Sequence, residues 1–395
     1  MNAIGIDYGR ARSVIALREG PVAQACTLLD DGRSRLVPHA VLGAHWGSRA
    51  LERGVAPPWA DDADLPGPWV MHPEAVGFWK ALHSHIRDYL GGVPPGRRHG
   101  YEVVVCTEAE SPSHAEAAVT PIIREAGWGD VDWVPPTHAL LCSWLLEGHR
   151  IQGLTKVGVV ACGDTTTRVG AYLVDTRSRQ LEIAEAYIAA QPLLTGYSVW
   201  ERTVRQMVLD HLIIPDTGVP REWDLSLHRE MPHFATKLAR GGSCKWPGLL
   251  QAHMFSEFSV ARRDWIVWPT VATLRAELPA LLEEALTQLS GAPASQVIVI
   301  GGVGALWPFC QDAVAILGPS LECHSRSPER GLASGAAGWP LLRSRFPEQH
   351  VPQDRIPADT VDFRESLPSA RTPPADQESY QRLIRRIQAG PGQDG

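Results

Sequence analysis

Lysine, closely spaced cysteine and long apolar runs are scarce in this sequence, and each scarcity argues against a class of protein. Only four of the 395 residues are lysine (Lys80, Lys156, Lys237 and Lys245), so lysine-dependent chemistry has few candidates. None of the seven cysteines forms a Cys-x-x-Cys pair, and we therefore predict reduced, buried thiols rather than a zinc site. No apolar run approaches the roughly 20 residues that a membrane helix needs.

Positive charge is not in excess either. The net charge of −7 argues against a nucleic-acid partner, because general nucleic-acid-binding proteins are normally basic. The first residues, MNAIGIDYG, contain neither a basic segment nor an apolar core, so we expect no secretory signal. We predict a cytoplasmic protein without a membrane partner. At roughly 150 residues per domain, the length allows two or three domains.

The spacing of apolar residues predicts an α/β protein in which one order of elements occurs twice. The first half has predicted β segments at 3–8, 13–19, 21–29 and 35–42, a helix over 72–92, a strand over 102–110 and a helix over 113–127. The second half has a predicted strand pair over 156–175, a helical connector over 197–212, a helix over 273–289, a strand over 296–304 and a helix over 327–346. The repetition predicts two similar halves with a cleft between them.

Three polar turns are candidates for anion binding: DYGRARS (7–13), GDTTTR (163–168) and GGVG (301–304). A phosphate needs many N–H donors and a close approach of the backbone, which Gly9 and Gly163 permit. Asp7 could hold Mg²⁺ through water, because magnesium takes one or two carboxylates and keeps several waters. The alternatives are that Asp7 only caps its turn and that the glycines are structural.

In this order and at these separations, the three turns resemble the two phosphate loops and the adenosine loop of the actin-like ATPase superfamily. The closest likeness is to the DnaK-type heat-shock chaperones, and HPEAV (72–76) and PPTHALLCSW (135–144) resemble further chaperone segments. The likeness covers residues 3–345. It implies a duplicated ribonuclease-H-like, two-lobe fold with a central nucleotide cleft, and ATP or ADP, with magnesium, as ligands.

The resemblance also implies boundaries. Lobe I would span 1–155, with the first phosphate loop and a truncated outer subdomain, and lobe II would span 156–330, with the second phosphate loop and the adenosine loop. A helix at 331–346 would close back on lobe I, and 347–395 would form a proline-rich flexible tail. About fifty residues follow Phe346, so we expect no peptide-binding domain or helical lid in this chain.

The resemblance assigns binding roles to particular residues. Asp7 is the metal candidate, and TKLARGGS (236–243) supplies the candidates for contacts with adenine and sugar. The predicted nucleotide-binding residues are Asp7, Gly9, Arg10, Ala11, Gly163, Thr165, Thr166, Arg240, Ser243, Gly301 and Gly302.

Several positions depart from the family pattern where catalysis would need a carboxylate. The family's second loop begins and ends with Asp, whereas this chain has Ala161 and Arg168, and Pro135 stands where the family has Glu. Its catalytic lysine falls in a region this chain has largely lost, and we predict that Lys80 is merely solvent-facing on a helix. We therefore assign no catalytic residue, although Asp164 remains an alternative carboxylate.

These observations predict a catalytically degenerate, chaperone-like pseudoenzyme that acts on a protein partner. ATP or ADP would be its structural or switching ligand. One alternative is an active ATPase or small-molecule kinase of the same superfamily, and a second is a scaffold that binds no nucleotide. The sequence leaves the partner and the oligomeric state open.

Overall fold

The structure is a computed structural model that describes two large sheets, two separate two-stranded pairs and the helices around them. The described ranges are 1–53, 75–107, 112–148, 151–196, 243–244, 258–259, 269–302, 307–317, 322–324 and 328–347, apart from gaps at 10–11, 22–23, 31, 33, 152, 165, 178–179, 194 and 292–294. Among the helices in these ranges, none has the length and apolar character required to cross a membrane.

The first sheet begins with a hairpin and continues through parallel strands. Its strands are β1 (Asn2–Tyr8), β2 (Arg12–Arg18), β3 (Cys26–Thr27), β4 (Val37–Pro38), β7 (Tyr101–Thr107) and β8 (Asp132–Val134). Between β4 and β7 in the chain, β5 (Val41–Leu42) and β6 (His45–Trp46) form a separate pair. The order across the sheet is β3-β2-β1-β7-β8, with β4 also paired to β2. The pairs β1–β2 and β2–β3 are antiparallel, while β1–β7 and β7–β8 are parallel.

The second sheet has the same order and the same directions. Its strands are β9 (Leu154–Cys162), β10 (Thr167–Asp175), β11 (Glu182–Ile188), β14 (Ser295–Gly302) and β15 (Glu322–His324), and the short pair β12 (Ser243–Cys244) and β13 (Phe258–Ser259) stands apart. The order is β11-β10-β9-β14-β15, antiparallel for the first two pairs and parallel for the last two. The predicted α/β class is therefore confirmed.

Helices cover one face of each sheet from outside. They are α1 (Gly47–Glu52), α2 (Ala75–Tyr89) and α3 (Pro112–Glu125) in the first half, and α5 (Pro269–Gln288) and α6 (Trp307–Val314) in the second. Phe78 and Trp79 of α2 form one core cluster with Ile4 and Ile6 of β1. The exposed Lys80 on α2 agrees with the predicted solvent-facing lysine.

Two further helices, α4 (Pro136–Leu146) and α7 (Gly331–Leu342), pack between the sheets. Helix α7 contacts β1, β2 and β7 of the first sheet, α4 contacts β9, β10 and β14 of the second, and the two helices contact each other. Glycine makes this close approach possible, because a Cβ at Gly5 would overlap the carbonyl oxygen of Ala333, and one at Gly335 would overlap that of Ala139. We call the face of each sheet that is covered by α7 or α4 its inner face.

The predicted elements agree with the structure in most of the described ranges, with two differences. First, the predicted strand 21–29 is only the two-residue strand β3, and 35–42 forms the two-residue strands β4 and β5. Second, the helices α1, α4 and α6 and the strands β6, β8, β11, β12, β13 and β15 were not predicted. The predictions for 197–212 and for the tail 348–395 lie outside the described residues. Cys26 is exposed, whereas Cys106, Cys142, Cys162 and Cys310 are buried as predicted.

Candidate functional site

The first predicted phosphate loop is a tight hairpin turn between β1 and β2. The N–H of Gly9 donates to the carbonyl of Arg12 at 3.0 Å, which closes a four-residue loop. Asp7 lies two residues before this glycine and is only 5% exposed. The predicted site residues Arg10 and Ala11 lie outside the described residues.

The second predicted phosphate loop repeats this geometry between β9 and β10. The N–H of Gly163 donates to the carbonyl of Thr166 at 2.7 Å. The strand pair Cys162–Thr167 closes this loop as Tyr8–Ser13 closes the first, so the two loops have equal length. Thr166 is buried at the end of the loop, and Thr165 lies outside the described residues.

The two loops meet. A Cβ on Gly9 would lie 3.0 Å from the Cβ of Asp164 and 3.2 Å from its Oδ2. Any larger residue at position 9 would therefore press on the second loop, and also on the carbonyl of Arg12 at 2.9 Å. The structure thus brings together two segments that are more than 150 residues apart in the chain.

Four charged residues are buried at the loop ends of these hairpins. Asp7 is 5% exposed, Arg12 8%, Asp164 1% and Arg168 8%, and each of them has an interaction partner. We call these four residues the loop-end charges. Buried charges are stable only when they are paired or hydrogen-bonded, so these partners stabilise the four loop-end charges in the folded protein.

Strand alternation places three of the loop-end charges on the inner faces. In β1, Ile4 and Ile6 belong to the outer core, so Gly5 and Asp7 point to the inner face, where Gly5 packs against α7. Val14 packs with α7 residues, which assigns Arg12, two positions earlier, to the same face. Asp7 and Arg12 therefore lie on the inner face, closer to the loop than the part that α7 covers.

In the second sheet, Arg168 has the matching location. Gly170 faces Thr137 in the first turn of α4, and the hydroxyl of Tyr172 donates to the Oγ1 of Thr137 at 2.8 Å. Arg168 precedes Gly170 by two residues, so it lies on this same face but closer to the loop. Its partner across the ladder is Ala161.

The positions that lack the family's carboxylates are thus close in the fold. Ala161 and Arg168 form a cross-strand pair, and Pro135 directly precedes α4, whose first turn packs on β10.

Within the described residues, no group of three Asp, Glu, His or Cys side chains could hold a metal ion. A buried guanidinium beside Ala161 supplies positive charge rather than oxygen ligands, so this part of the site does not fit the implied magnesium.

The predicted adenosine loop begins next to the second phosphate loop. Gly301 and Gly302 end β14 and pair with Ala161 and Cys162. Gly302 has a φ of 119°, and a Cβ there would overlap the carbonyl oxygen of Cys162. This glycine therefore has a packing role in addition to any role in binding.

The rest of the predicted adenosine side is described only in part. Arg240 and residues 303–306 lie outside the described residues, and Ser243 is placed only as a β12 residue paired with Ser259. Below the loop, the Sγ atoms of Cys162 and Cys310 are 3.4 Å apart. The hydrogen bond with Cys162 and burial both raise the pKa of Cys310, which favours the protonated thiol over the reactive thiolate.

The sequence analysis missed one buried polar residue, which follows the segment that pairs with the start of β10. The backbone of Leu193 exchanges two hydrogen bonds with Thr167, at 2.8 and 2.9 Å, and Thr195 lies two residues after Leu193 in the chain. Thr195 is 1% exposed, and its Oγ1 has no hydrogen-bond partner among the described residues. Only the antiparallel contact with Thr167 reveals this position, because nothing in the local sequence marks it.

No protein-family model matches this chain, and no curated protein matches it.

Proposed function

We propose that the protein is a catalytically degenerate, DnaK-like nucleotide-binding protein with the duplicated, two-lobe fold of the actin-like ATPases. One observation carries the proposal: two sheets of identical order and direction each open with a four-residue hairpin loop, and the two loops contact each other at Gly9 and Asp164. The residues 1–155 and 156–330 would then be the two lobes.

The ligand in this proposal is ATP or ADP, with its phosphates at the paired loops. Gly9 and Gly163 each close a four-residue turn, and turns of this kind can form anion-binding concavities. Thr166 adds a buried hydroxyl at the second loop. Gly301 and Gly302 would lie on the nucleoside side, with Arg240 and Ser243 as further candidates.

Hydrolysis is not part of the proposed function. A general base or a positioning group contributes typically 10²–10⁴-fold to a rate. Ala161, Arg168 and Pro135 carry no carboxylate, and the exposed Lys80 offers no substitute for a catalytic lysine. The nucleotide would instead shift the equilibrium between open and closed forms by binding one of them more tightly. A cytoplasmic protein partner would read that shift.

Calorimetry with ATP and ADP tests the binding directly. Thr166→Val should weaken binding by about 1–3 kcal/mol, because a buried donor or acceptor is left unpaired. Thr176→Val is the matched control, since its hydroxyl contacts the carbonyls of Ile151 and Gly153 at the other end of β10. Equal loss of affinity in both variants would show that Thr166 acts only through stability.

Phosphate release separates this proposal from an active ATPase or kinase. The wild type should release no phosphate above the blank. Ala161→Asp alone should not change that, because Pro135 still lacks a carboxylate. Steady phosphate release that is abolished by Asp7→Ala would establish the enzyme alternative instead.

The burial of the loop-end charges favours one other candidate, a scaffold without nucleotide. In that case protein groups alone make the hydrogen bonds and ion pairs of the buried residues at the loops. A wild-type protein whose melting temperature does not respond to millimolar ATP or ADP, with or without magnesium, would support the scaffold.

A further inference from the structure

We propose that the thiols of Cys162 and Cys310 form a redox switch, in which a peroxide joins them as a disulfide and thereby weakens nucleotide binding at the second loop. The formation of the disulfide follows from the geometry of the two thiols. Its effect on the ligand rests on the proposed nucleotide-binding function.

The two sulfur atoms already lie near bonding distance. The Sγ atoms of Cys162 and Cys310 are 3.4 Å apart, whereas a disulfide bond is roughly 2.05 Å long. Both cysteines are free thiols in the structure, and both are buried. They are 148 residues apart in the chain, so only the fold brings the end of β9 and the helix α6 together.

Cys162 lies where the two predicted binding loops begin. It is the last residue of β9, directly before Gly163 of the second phosphate loop, and it pairs with Gly302 at the end of β14. A Cβ at Gly302 would overlap the carbonyl oxygen of Cys162, so no free space separates the backbones of these two residues. A movement of Cys162 is therefore passed on to Gly163 and Gly302.

Cys310 lies on α6, a helix of only eight residues that packs on α5 and β14. A disulfide would shorten the distance between the two sulfurs by about 1.4 Å. Rotation of the two side chains and an approach of α6 to the end of β9 together supply this change. An N–H group hydrogen-bonds an oxygen only at about 2.7–3.2 Å, so part of that displacement at the loop is enough to break a hydrogen bond to a phosphate.

Hydrogen peroxide is the oxidant, and the reaction needs no other reagent. The thiolate of one cysteine attacks the peroxide, so that an S–O bond forms, the O–O bond breaks and hydroxide leaves as water after it takes up a proton. The neighbouring thiol then attacks the sulfenic sulfur, the S–S bond forms, the S–O bond breaks and a second water leaves. Two thiols lose two electrons and two protons, and one peroxide becomes two waters.

Burial and the hydrogen bond between the thiols make the first step slow. They raise the pKa of Cys310, which keeps the reactive thiolate scarce, and peroxide reaches the pair only when the structure opens locally. The second step is fast, because the other sulfur is already adjacent to the sulfenic acid. The switch therefore responds to sustained exposure to peroxide, and a small thiol reverses it by thiol–disulfide exchange.

Mass spectrometry of the full-length protein tests whether the disulfide forms. The Cys323→Ser variant is used, because Cys323 lies in the same tryptic peptide as Cys310. After peroxide treatment, the protein is denatured, alkylated and digested without reduction. We expect a linked pair of peptides containing Cys162 and Cys310 that disappears with dithiothreitol. Both thiols alkylated, or either one oxidised singly to a sulfinic acid, would overturn the proposal.

Cysteine variants test the pairing. In the same background, Cys162→Ser and Cys310→Ser should each abolish the linked peptides. Cys142→Ser is the matched control, since it removes another fully buried thiol, on α4, and should leave the link intact. A link from Cys162 to any cysteine other than Cys310 would refute the assignment. The wild-type pairing in the Cys323→Ser protein decides the question even if a second serine prevents folding.

Calorimetry with ATP tests the effect on the loops. The linked protein should bind ATP about tenfold more weakly than the reduced protein, the effect of losing one hydrogen bond, and dithiothreitol should restore the affinity. Cys310→Ser should bind ATP equally before and after peroxide. Equal affinities of the linked and reduced wild type would overturn the switch. Absence of ATP binding by the reduced protein would instead overturn the proposed function, and the mass spectra would still decide whether the disulfide forms.

Discussion

Replacing Gly335 by alanine should destabilise the protein, although the same change normally stabilises a helix. In a helix interior, Gly→Ala gains about 1 kcal/mol. At position 335 the new Cβ would overlap the carbonyl oxygen and carbon of Ala139, and its Cα would be only 3.0 Å away. Backbone atoms cannot rotate aside, so α4 and α7 must separate.

The expected magnitude follows from these two opposing effects. Overpacking a core costs roughly 1–3 kcal/mol, and a backbone-to-backbone overlap belongs at the upper end of that range. After the helix gain is subtracted, Gly335→Ala should lose about 2 kcal/mol. Gly77→Ala in α2 is the matched control, because the nearest atom to its new Cβ is Val41 Cγ1 at 4.0 Å. That variant should gain up to about 1 kcal/mol.

Urea titration followed by tryptophan fluorescence measures both changes. The sequence contains 14 tryptophans, and the midpoint shift multiplied by a common slope gives the change in unfolding free energy. If Gly335→Ala were as stable as Gly77→Ala, α4 and α7 would not be in backbone contact. The described connection between the two sheets would then be wrong.

Four further predictions concern other parts of the protein. Burial lowers the pKa of His138 to about 3, so the unfolding free energy keeps its full value above about pH 6.5 and falls as the pH drops from there toward 3. In urea titrations at several pH values, His138→Gln should reduce this dependence on pH. An unfolding free energy that falls with pH as steeply as in the wild type would contradict this prediction. Arg343→Ala should cost less than about 1 kcal/mol in the same titration, because its ion pairs are partly exposed. Deleting 347–395 should leave the melting temperature unchanged, since Phe346, which stacks on His138 at 4.6 Å, is retained; a large drop would refute this. Thr195→Val should raise stability by about 1 kcal/mol and weaken ATP binding in calorimetry, whereas a purely structural hydroxyl would lower stability and leave binding unchanged.

The sequence alone determined the two loop hairpins of the candidate site and the helix α2. A polar, glycine-containing segment between two apolar runs predicts a hairpin, and both loops closed at the expected glycines, Gly9 and Gly163. Helix α2 followed from its apolar spacing, with Gly91 and Gly92 just past its end. These features depend on neighbouring residues in the chain, so a local pattern is enough to reveal them.

Only the tertiary structure decided what the loops contact and which charges are buried. The sequence pattern around Arg12 and Arg168 is equally consistent with solvated turn charges, and only the folded structure shows that both are buried. The short strands β8 and β15 exist because a longer parallel neighbour pairs with each of them. Gly5 and Gly335 likewise owe their role to helices that cross between the sheets. Each of these features is a contact between residues far apart in the chain, and sequence periodicity carries no information about such pairs.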